Sequence, residues 1–517
     1  MILVISGKMP SSSDTRTGPS PFSGRSPDFS RTALLFSEEF PSSRRGAILK
    51  LRSTSPDILP EKTIVDSLRY GGIPVNTGRP DTLKKTFPLI AGETSGFISP
   101  LGFLSMHLFQ GAGWILFFRI FEQRAPFGTP VFFAMLHAFG LGFLTLAAFS
   151  VLVHVLPAAA GLPVGKSVGD RVPVWGIGFG AILFVTGWLV PDLRLSLVGG
   201  AVILLSAGYF FGRVLKEIAF PKGRPPRKDG GLGILITVAL SFLVTGIILG
   251  LWMLSALLYP SNGFVLARIP VVHALSMIGG WLTLLVMAVF LRTSGPLLGH
   301  PVATPRSVFA WSLAGTGVLL GITGLLFDTR FLTGFGLLAG ISGLVLYGRP
   351  VITAFRNARP MNPLPLWFLG SAVSWLLLGM ALLFRSFLTR SPNLPGLLMV
   401  FLIGWLGQFF LAHLYHLGPR LIGILRNGPQ DMTPPFALLA RTRSRTTFSL
   451  YQAGIALGMV PFFFPETLPG EFRSIGPALG FLAWISLSLE IRSAWKKAGK
   501  IPRSEERIFL PSSHKKP

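Results

Sequence analysis

Apolar runs of about 20 residues recur along the chain from about residue 97 to residue 490, separated by short polar stretches. A helix that rises about 1.5 Å per residue needs about 20 such residues to cross roughly 30 Å of hydrocarbon. Each run therefore predicts a transmembrane helix, because a helix satisfies its own backbone hydrogen bonds in lipid. The pattern predicts an all-α polytopic membrane protein with about twelve transmembrane helices.

The predicted spans divide the chain into a membrane domain at 96–492 and two tails. The tail at 1–95 is rich in Ser, Pro and Arg, and we expect it to be a disordered cytoplasmic segment. The tail at 493–517 is basic. The predicted spans are 97–120, 128–157, 172–190, 194–214, 231–257, 265–291, 307–327, 331–348, 364–387, 394–418, 446–464 and 474–491.

Composition agrees with a membrane protein, since only 13% of the 517 residues are charged whereas soluble domains have about 25%. The net charge of +26 would also suit a protein that binds nucleic acid. The basic residues lie in short loops between apolar runs, however, so we expect a lipid bilayer as the partner and no nucleic acid. The chain has no cysteine, which excludes disulfides, iron–sulfur clusters and thiolate metal sites.

Loop charges predict the orientation. The loops after spans four, eight and ten and the C-terminal tail are rich in Lys and Arg, whereas the loop after span five has only Arg268. Basic loops stay on the cytoplasmic side. We therefore expect a multi-pass protein of the cell's inner (cytoplasmic) membrane with both termini in the cytoplasm.

Spans two, six and ten share a sequence pattern. Each contains a repeat glycine followed by an aromatic residue and leucine, and a proline follows the glycine by fifteen or sixteen residues. The glycines are Gly142, Gly280 and Gly404, and the prolines, which we expect to end their helices, are Pro157, Pro296 and Pro419. Because these spans are four apart in order, the chain is predicted to be three four-helix pseudo-repeats.

Three segments resemble subunit I of the heme–copper oxidase superfamily, and more closely its little-characterised relatives. Residues 137–143 match a helix that reads H-x-F-x-L-G-F, and residues 273–281 match H-A-H-x-x-x-x-G-W with Leu275 in place of the second histidine. Residues 404–419 match G-W-L-G, then H-L-Y and a final proline, with His416 where that motif has lysine. The resemblance implies twelve helices around a pseudo-threefold axis and histidine-bound heme.

Span six also looks like NnrS-type membrane proteins, which are linked to the nitric oxide response. In these the helix runs from H-A-L-[ST] to an arginine and then Gly-His, as His273, Arg292 and His300 do here. Oxygen-reducing members of the first family have a His-His pair on helix seven and His-x-His on helix ten. This chain has no histidine in span seven and spaces His413 and His416 by three, so terminal oxidase activity is not expected.

Counting from the repeat glycine gives each histidine a depth. His137 and His273 precede their glycines by five and seven residues, so they differ by about 3 Å along parallel helices. His154 and His416 each follow by twelve residues, and His413 by nine. A neutral imidazole is a good iron ligand, so we predict an outer heme site at His137 and His273.

A second, inner site is predicted from His154 with His413 or His416. Copper is a further option for the metal-binding histidines His137, His273 and His413. The alternative is that these histidines only form hydrogen bonds between helices. Arg292 and Arg420 lie near the inner ends, where they would pair with heme propionates or extend to lipid headgroups.

Three functions follow from these observations. The leading hypothesis is a b-type heme-binding membrane protein that transfers electrons, as an oxidoreductase component with a respiratory-chain electron donor, or that handles nitric oxide or another small gas. The runner-up is a small-molecule or metal transporter, which repeated helical units also suit. No Asp or Glu is placed deep in a predicted span, which argues against proton or cation coupling. The third is a cofactor-free partner of a respiratory complex.

Overall fold

The structure is a computed structural model, and every long element in it is a helix. It describes residues 98–122, 128–157, 162, 168–220, 231–259, 268–298, 302, 305–358, 363–390, 393–427, 435–465 and 469–499. The tail predicted at 1–95 and most of the tail predicted at 493–517 lie outside these residues.

Twelve long helices make up the described residues, and their order matches the predicted spans. They are α1 (Ile98–Glu122), α2 (130–155), α3 (Val172–Leu189), α4 (Leu193–Ala219), α5 (Gly231–Leu258), α6 (269–298), α7 (Pro305–Leu326), α8 (Arg330–Arg356), α9 (Leu364–Thr389), α10 (Leu394–Asn427), α11 (Arg441–Phe463) and α12 (Ile475–Ala498).

Eleven of these helices are long and apolar enough to cross a membrane, all except α11. The 23 residues of α11 include three arginines near its start and a row of Ser, Thr and Tyr, which lower its hydropathy. The described part of the chain is thus an all-α polytopic membrane protein, as predicted. The place of α11 as a twelfth span stays a prediction.

Helices α2, α6 and α10 form the centre of the bundle. Between 72% and 83% of their apolar windows is buried inside the protein, whereas the value for the other candidate spans does not exceed 56%. These are the three helices that carry the repeat glycines. The shared motif therefore marks the core, and the flanking helices face lipid on one side.

Each central helix changes from α to π geometry around its repeat glycine. The π segments are Ala138–Thr145 in α2, Leu275–Thr283 in α6 and Val400–Gly407 in α10. Such segments are rare and recur at functional sites. The backbone stays helical through all three segments, so none of the central spans is broken.

The repeat glycines allow close packing against the preceding helix of their own unit. A Cβ atom on Gly142, Gly280 or Gly404 would overlap an aromatic ring, that of Phe109 on α1, Phe242 on α5 or Trp375 on α9 respectively. A second glycine contact repeats in the same way. Gly113, Gly246 and Gly379 face Phe139, Met277 and Phe401, the residues three before each repeat glycine.

The third and fourth helices of each unit form a tight antiparallel pair. Their contacts use glycines at equivalent positions: Gly180 faces Gly199, Gly317 faces Gly336, and Gly454 faces Gly476. Between units, α4 packs on α5, α8 on α9, and α12 on α1, so the ring closes. These equivalences confirm three four-helix units around a pseudo-threefold axis.

Three helix ends differ from the sequence prediction. Pro419 does not end α10, which continues to Asn427, and Pro296 lies inside the last turn of α6. Surrounding helices let a membrane helix tolerate proline. Helix α12 extends to Ala498, so part of the segment predicted as a tail is helical.

The glycine contacts predict the effect of a single methyl group. Gly142→Ala places a Cβ atom inside the Phe109 ring and should destabilise the protein by about 1–3 kcal/mol, the usual cost of overpacking. Gly140→Ala, in the same π segment, meets no atom within 4 Å and should be neutral or stabilising by up to about 1 kcal/mol. Thermal unfolding in one detergent compares them, and equal effects would contradict this packing.

Candidate functional site

The structure brings the predicted outer pair together. His137 on α2 and His273 on α6 have ring centres 6.4 Å apart, with an angle of 36° between the ring planes. His137 also packs against Phe184 of α3, with ring centres 4.7 Å apart. The pair therefore lies where the first and second units meet, as the depth count predicts.

Each histidine of this pair is anchored through the same nitrogen. His137 Nδ1 lies 2.7 Å from the carbonyl oxygen of Phe133, and His273 Nδ1 lies 2.8 Å from that of Gly246. A carbonyl only accepts, so in both rings Nδ1–H donates. The neutral ring then has its lone pair on Nε2, and within the described residues neither Nε2 has a hydrogen-bond partner.

The surroundings of the pair contain further unsatisfied polar groups. Both rings lie deep among protein atoms, yet neither is completely covered. Ser276, one turn after His273, is fully buried, and its hydroxyl has no partner. The indole N–H of Trp188 on α3, which packs on Phe133, also lacks one. Buried polar groups are normally hydrogen-bonded, so these two atoms are exceptions among the described residues near the pair.

The other two interfaces have apolar residues where this one has histidines, although His273 here also joins α6 to α5 through its hydrogen bond to Gly246. At the interface of units two and three, the equivalent positions are Leu275 and Leu397. At the interface of units three and one, they are Met399 and Met135. The same helix crossing is thus apolar twice and polar once, which points to a role of the histidine pair other than packing.

The geometry fits two imidazoles on one metal ion. A metal–nitrogen bond is about 2.0–2.1 Å, which puts the centres of two opposed rings roughly 6 Å apart. In the described part of the chain, no group of three or more His, Asp or Glu side chains could hold a metal ion. Two histidines are too few for the four ligands of zinc.

The predicted inner site is not assembled in the same way. His413 Nδ1 donates to the carbonyl of Phe409 at 3.0 Å, and its Nε2 lies 2.9 Å from the hydroxyl of Thr293 on α6. Both ring nitrogens are therefore engaged. This supports the interhelical hydrogen bond, the alternative to ligation, for His413.

The other predicted residues lie at the same end as His413. His154 is on α2, but its side chain lies outside the described residues. His416 is half-buried beside Arg420. Arg292 is nineteen residues after His273, about 28 Å along α6, and both arginines have interactions of their own. Neither arginine can reach the propionates of a heme held by the outer pair.

Sequence reasoning missed one buried acid. Glu490 is fifteen residues into α12 and 1% exposed, so this helix carries an acid that is buried inside the protein near its basic end. Its carboxylate accepts hydrogen bonds from the hydroxyls of Tyr415 and Ser444. The predicted span ended at 491, which made Glu490 look like a residue of the membrane surface.

Fold and site together define the class as an all-α polytopic membrane protein with a histidine pair in its core. Comparison with known proteins does not add a relative, since no protein-family model matches the chain and no curated protein matches it significantly.

Replacing Thr293 tests the structural role of His413. Thr293→Val leaves His413 Nε2 buried without a donor and should destabilise the protein by about 1–3 kcal/mol. Thr237→Val is the control, because that half-buried hydroxyl bonds only to a carbonyl of its own helix, and it should change stability by less than about 0.5 kcal/mol. Thermal unfolding measures the stability of both variants. If Thr293→Val is as stable as the wild type, the hydrogen bond between Thr293 and His413 does not stabilise the protein.

Proposed function

We propose that the chain is a b-type heme-binding membrane protein, related in architecture to heme–copper oxidase subunit I, with His137 and His273 as the axial ligands. The observation that carries this proposal is the pair itself: two rings 6.4 Å apart on facing helices, each with Nδ1–H fixed on a carbonyl and Nε2 left to coordinate.

In this proposal, the two histidines hold the heme and orient it. A backbone carbonyl that accepts from Nδ1–H fixes the ring and makes Nε2 a better ligand. Heme held by two histidines supplies one-electron transfer. With both His137 and His273 holding the heme, no iron position would be left for oxygen, and the group would supply electron transfer with a respiratory-chain donor rather than oxygen reduction. Handling of nitric oxide or another small gas would require one ligand to dissociate.

We place the protein in the inner (cytoplasmic) membrane with its basic ends in the cytoplasm. Helices α4, α8 and α12 all end in basic residues, and the positive-inside rule puts such ends on the cytoplasmic side. The histidine pair precedes the repeat glycines on helices that run toward that side. The proposed heme therefore lies in the outer half of the membrane.

The alternatives make different demands on the structure. A transporter with unwound spans around a central cavity requires breaks in the core helices, and α2, α6 and α10 are continuous. Glu490, a buried acid, is the observation that favours proton-coupled transport of a small molecule or metal. A cofactor-free partner of a respiratory complex requires every histidine to be satisfied, and His137 and His273 each keep one nitrogen without a partner.

The first test is a reduced-minus-oxidised absorption spectrum of the detergent-purified protein, with a pyridine hemochrome assay for heme content. We expect the sharp bands of a six-coordinate b heme. His137→Ala and His273→Ala should each abolish these bands, because either change removes an axial ligand.

The control for this test is His413→Gln, which should keep the bands because both nitrogens of His413 are already hydrogen-bonded. Protein without heme after expression in a heme-sufficient host would overturn the proposal. Bands that persist in both alanine variants but disappear in His413→Gln would indicate that the heme is bound at the inner site instead.

A further inference from the structure

A second set of buried polar groups lies at the interface of the third and first units. It comprises Gln110 and Trp114 on α1, Gln408 on α10 and Tyr451 on α11. All four residues are at most 2% exposed. They are separate from the histidine pair, which lies at the interface of units one and two.

These four side chains are close together. The rings of Trp114 and Tyr451 meet edge to face with centres 5.6 Å apart. The amide of Gln110 is close to the Tyr451 hydroxyl and to the ring of His107, but these contacts fall outside hydrogen-bond geometry, and Nδ1 of His107 is also without a partner. That hydroxyl lies over Gly407, where a Cβ atom would be 2.9 Å from it, and Gln408 is the next residue. Gln110, Trp114 and Tyr451 thus lie together, and Gln408 follows the glycine that the Tyr451 hydroxyl covers; we call this set of four buried residues the polar pocket.

Each residue of the polar pocket has a buried polar atom without a hydrogen-bond partner. They are Gln110 Oε1, Trp114 Nε1, Gln408 Nε2 and Tyr451 Oη. The other end of Gln408 is satisfied, because its Oε1 accepts from Gln452 at 2.5 Å. An unpaired polar group in an apolar interior costs several kcal/mol, and four in one place would be a large penalty.

The pseudo-symmetry again gives an internal comparison. Between units one and two, the positions equivalent to Gln110, Trp114, Gln408 and Tyr451 are apolar and buried: Leu243, Ile247, Leu146 and Ile177. Between units two and three, they are Leu376, Met380, Leu284 and Ala314. The same crossing packs without polar groups at two interfaces, so packing does not explain the four polar residues at the third.

The chemistry of the pocket selects its ligand. The unpaired atoms are two N–H donors, one amide acceptor, and a hydroxyl that both donates and accepts. None of the four residues carries a charge, which disfavours an ion. The site is closed to lipid, which disfavours a large molecule. A buried water typically makes about three hydrogen bonds to otherwise unsatisfied groups. We propose that the polar pocket binds ordered water inside the membrane domain.

A row of hydroxyls lies between the polar pocket and the basic end of α11. Ser444, Thr447 and Tyr451 lie on one face of α11 at spacings of three and four, and each is at most 4% exposed. Thr447 lies 2.7 Å from the hydroxyl of Ser486 on α12. Ser486 also lines an open cavity of about 420 Å³ with Thr442 and Thr446.

Radiolytic labelling of the full protein in lipid nanodiscs tests this proposal. X-ray pulses generate hydroxyl radicals from ordered water where it lies, and these hydroxylate adjacent rings, which peptide mass spectrometry detects. Tyr451 and Trp114 should be labelled several-fold faster than matched buried residues with satisfied polar groups. These controls are Tyr347, whose hydroxyl donates to Met287, and Trp281, whose indole donates to Thr145.

Equal labelling rates for Tyr451 and Trp114 and for their controls Tyr347 and Trp281 would overturn the proposal, because they would indicate that the pocket holds no water. In the double variant Gln110→Leu/Gln408→Leu, which copies the two apolar interfaces, labelling of Tyr451 should fall to the level of Tyr347. Continued fast labelling in this folded variant would also contradict the proposal. If the variant does not fold, the wild-type comparison still decides. The outcome is independent of heme, which no step of this test requires.

Discussion

The structure depends on close contact between helices at glycine, because lipid supplies no hydrophobic force to hold one transmembrane helix against another. Van der Waals packing has to supply that force, and it weakens steeply with distance. The repeat glycines place α2, α6 and α10 directly on aromatic rings of α1, α5 and α9. The paired glycines of the third and fourth helices of each unit bring the backbones of these two helices into direct contact. One contact scheme, used three times, thus generates the whole bundle.

The threefold scheme carries a different polar feature at each interface between units, besides repeated contacts such as Trp281 with Thr145 and Trp405 with Thr283. Units one and two carry the histidine pair, about six residues before the repeat glycines. Units two and three carry Thr293 and His413, nine or more residues after them. Units three and one carry the polar pocket, with Gln408 four residues after Gly404. The three features differ in depth, so the domain has polar groups at several levels but does not form one continuous polar core.

The sequence was sufficient to predict the positions of the long helices and the proximity of His137 and His273, because both follow from the regular rise of a helix. His137 and His273 precede the π segments of their helices. Because all three core helices contain such a segment, the number of residues from the repeat glycine still gives the relative depth of each histidine. The π geometry itself, the continuation of α10 through Pro419 and the burial of Glu490 depend on neighbouring helices, which sequence does not show. The polar pocket had a visible signal, since glutamine is expensive within a span, but only histidines and acids had been considered.

Hydrogen bonding separates structural polar groups from groups that await a ligand. His413 and Thr293 satisfy each other, so their interface is complete without any further molecule. The hydrogen bonds of the histidine pair involve Nδ1 alone, and four atoms of the polar pocket are buried without a partner. Their apolar counterparts show that the same crossings pack without them. Side chains whose apolar counterparts pack at the other interfaces, and that protein groups leave without partners, are the reason we propose a metal ligand role for the imidazoles and a water site at the amides and hydroxyl.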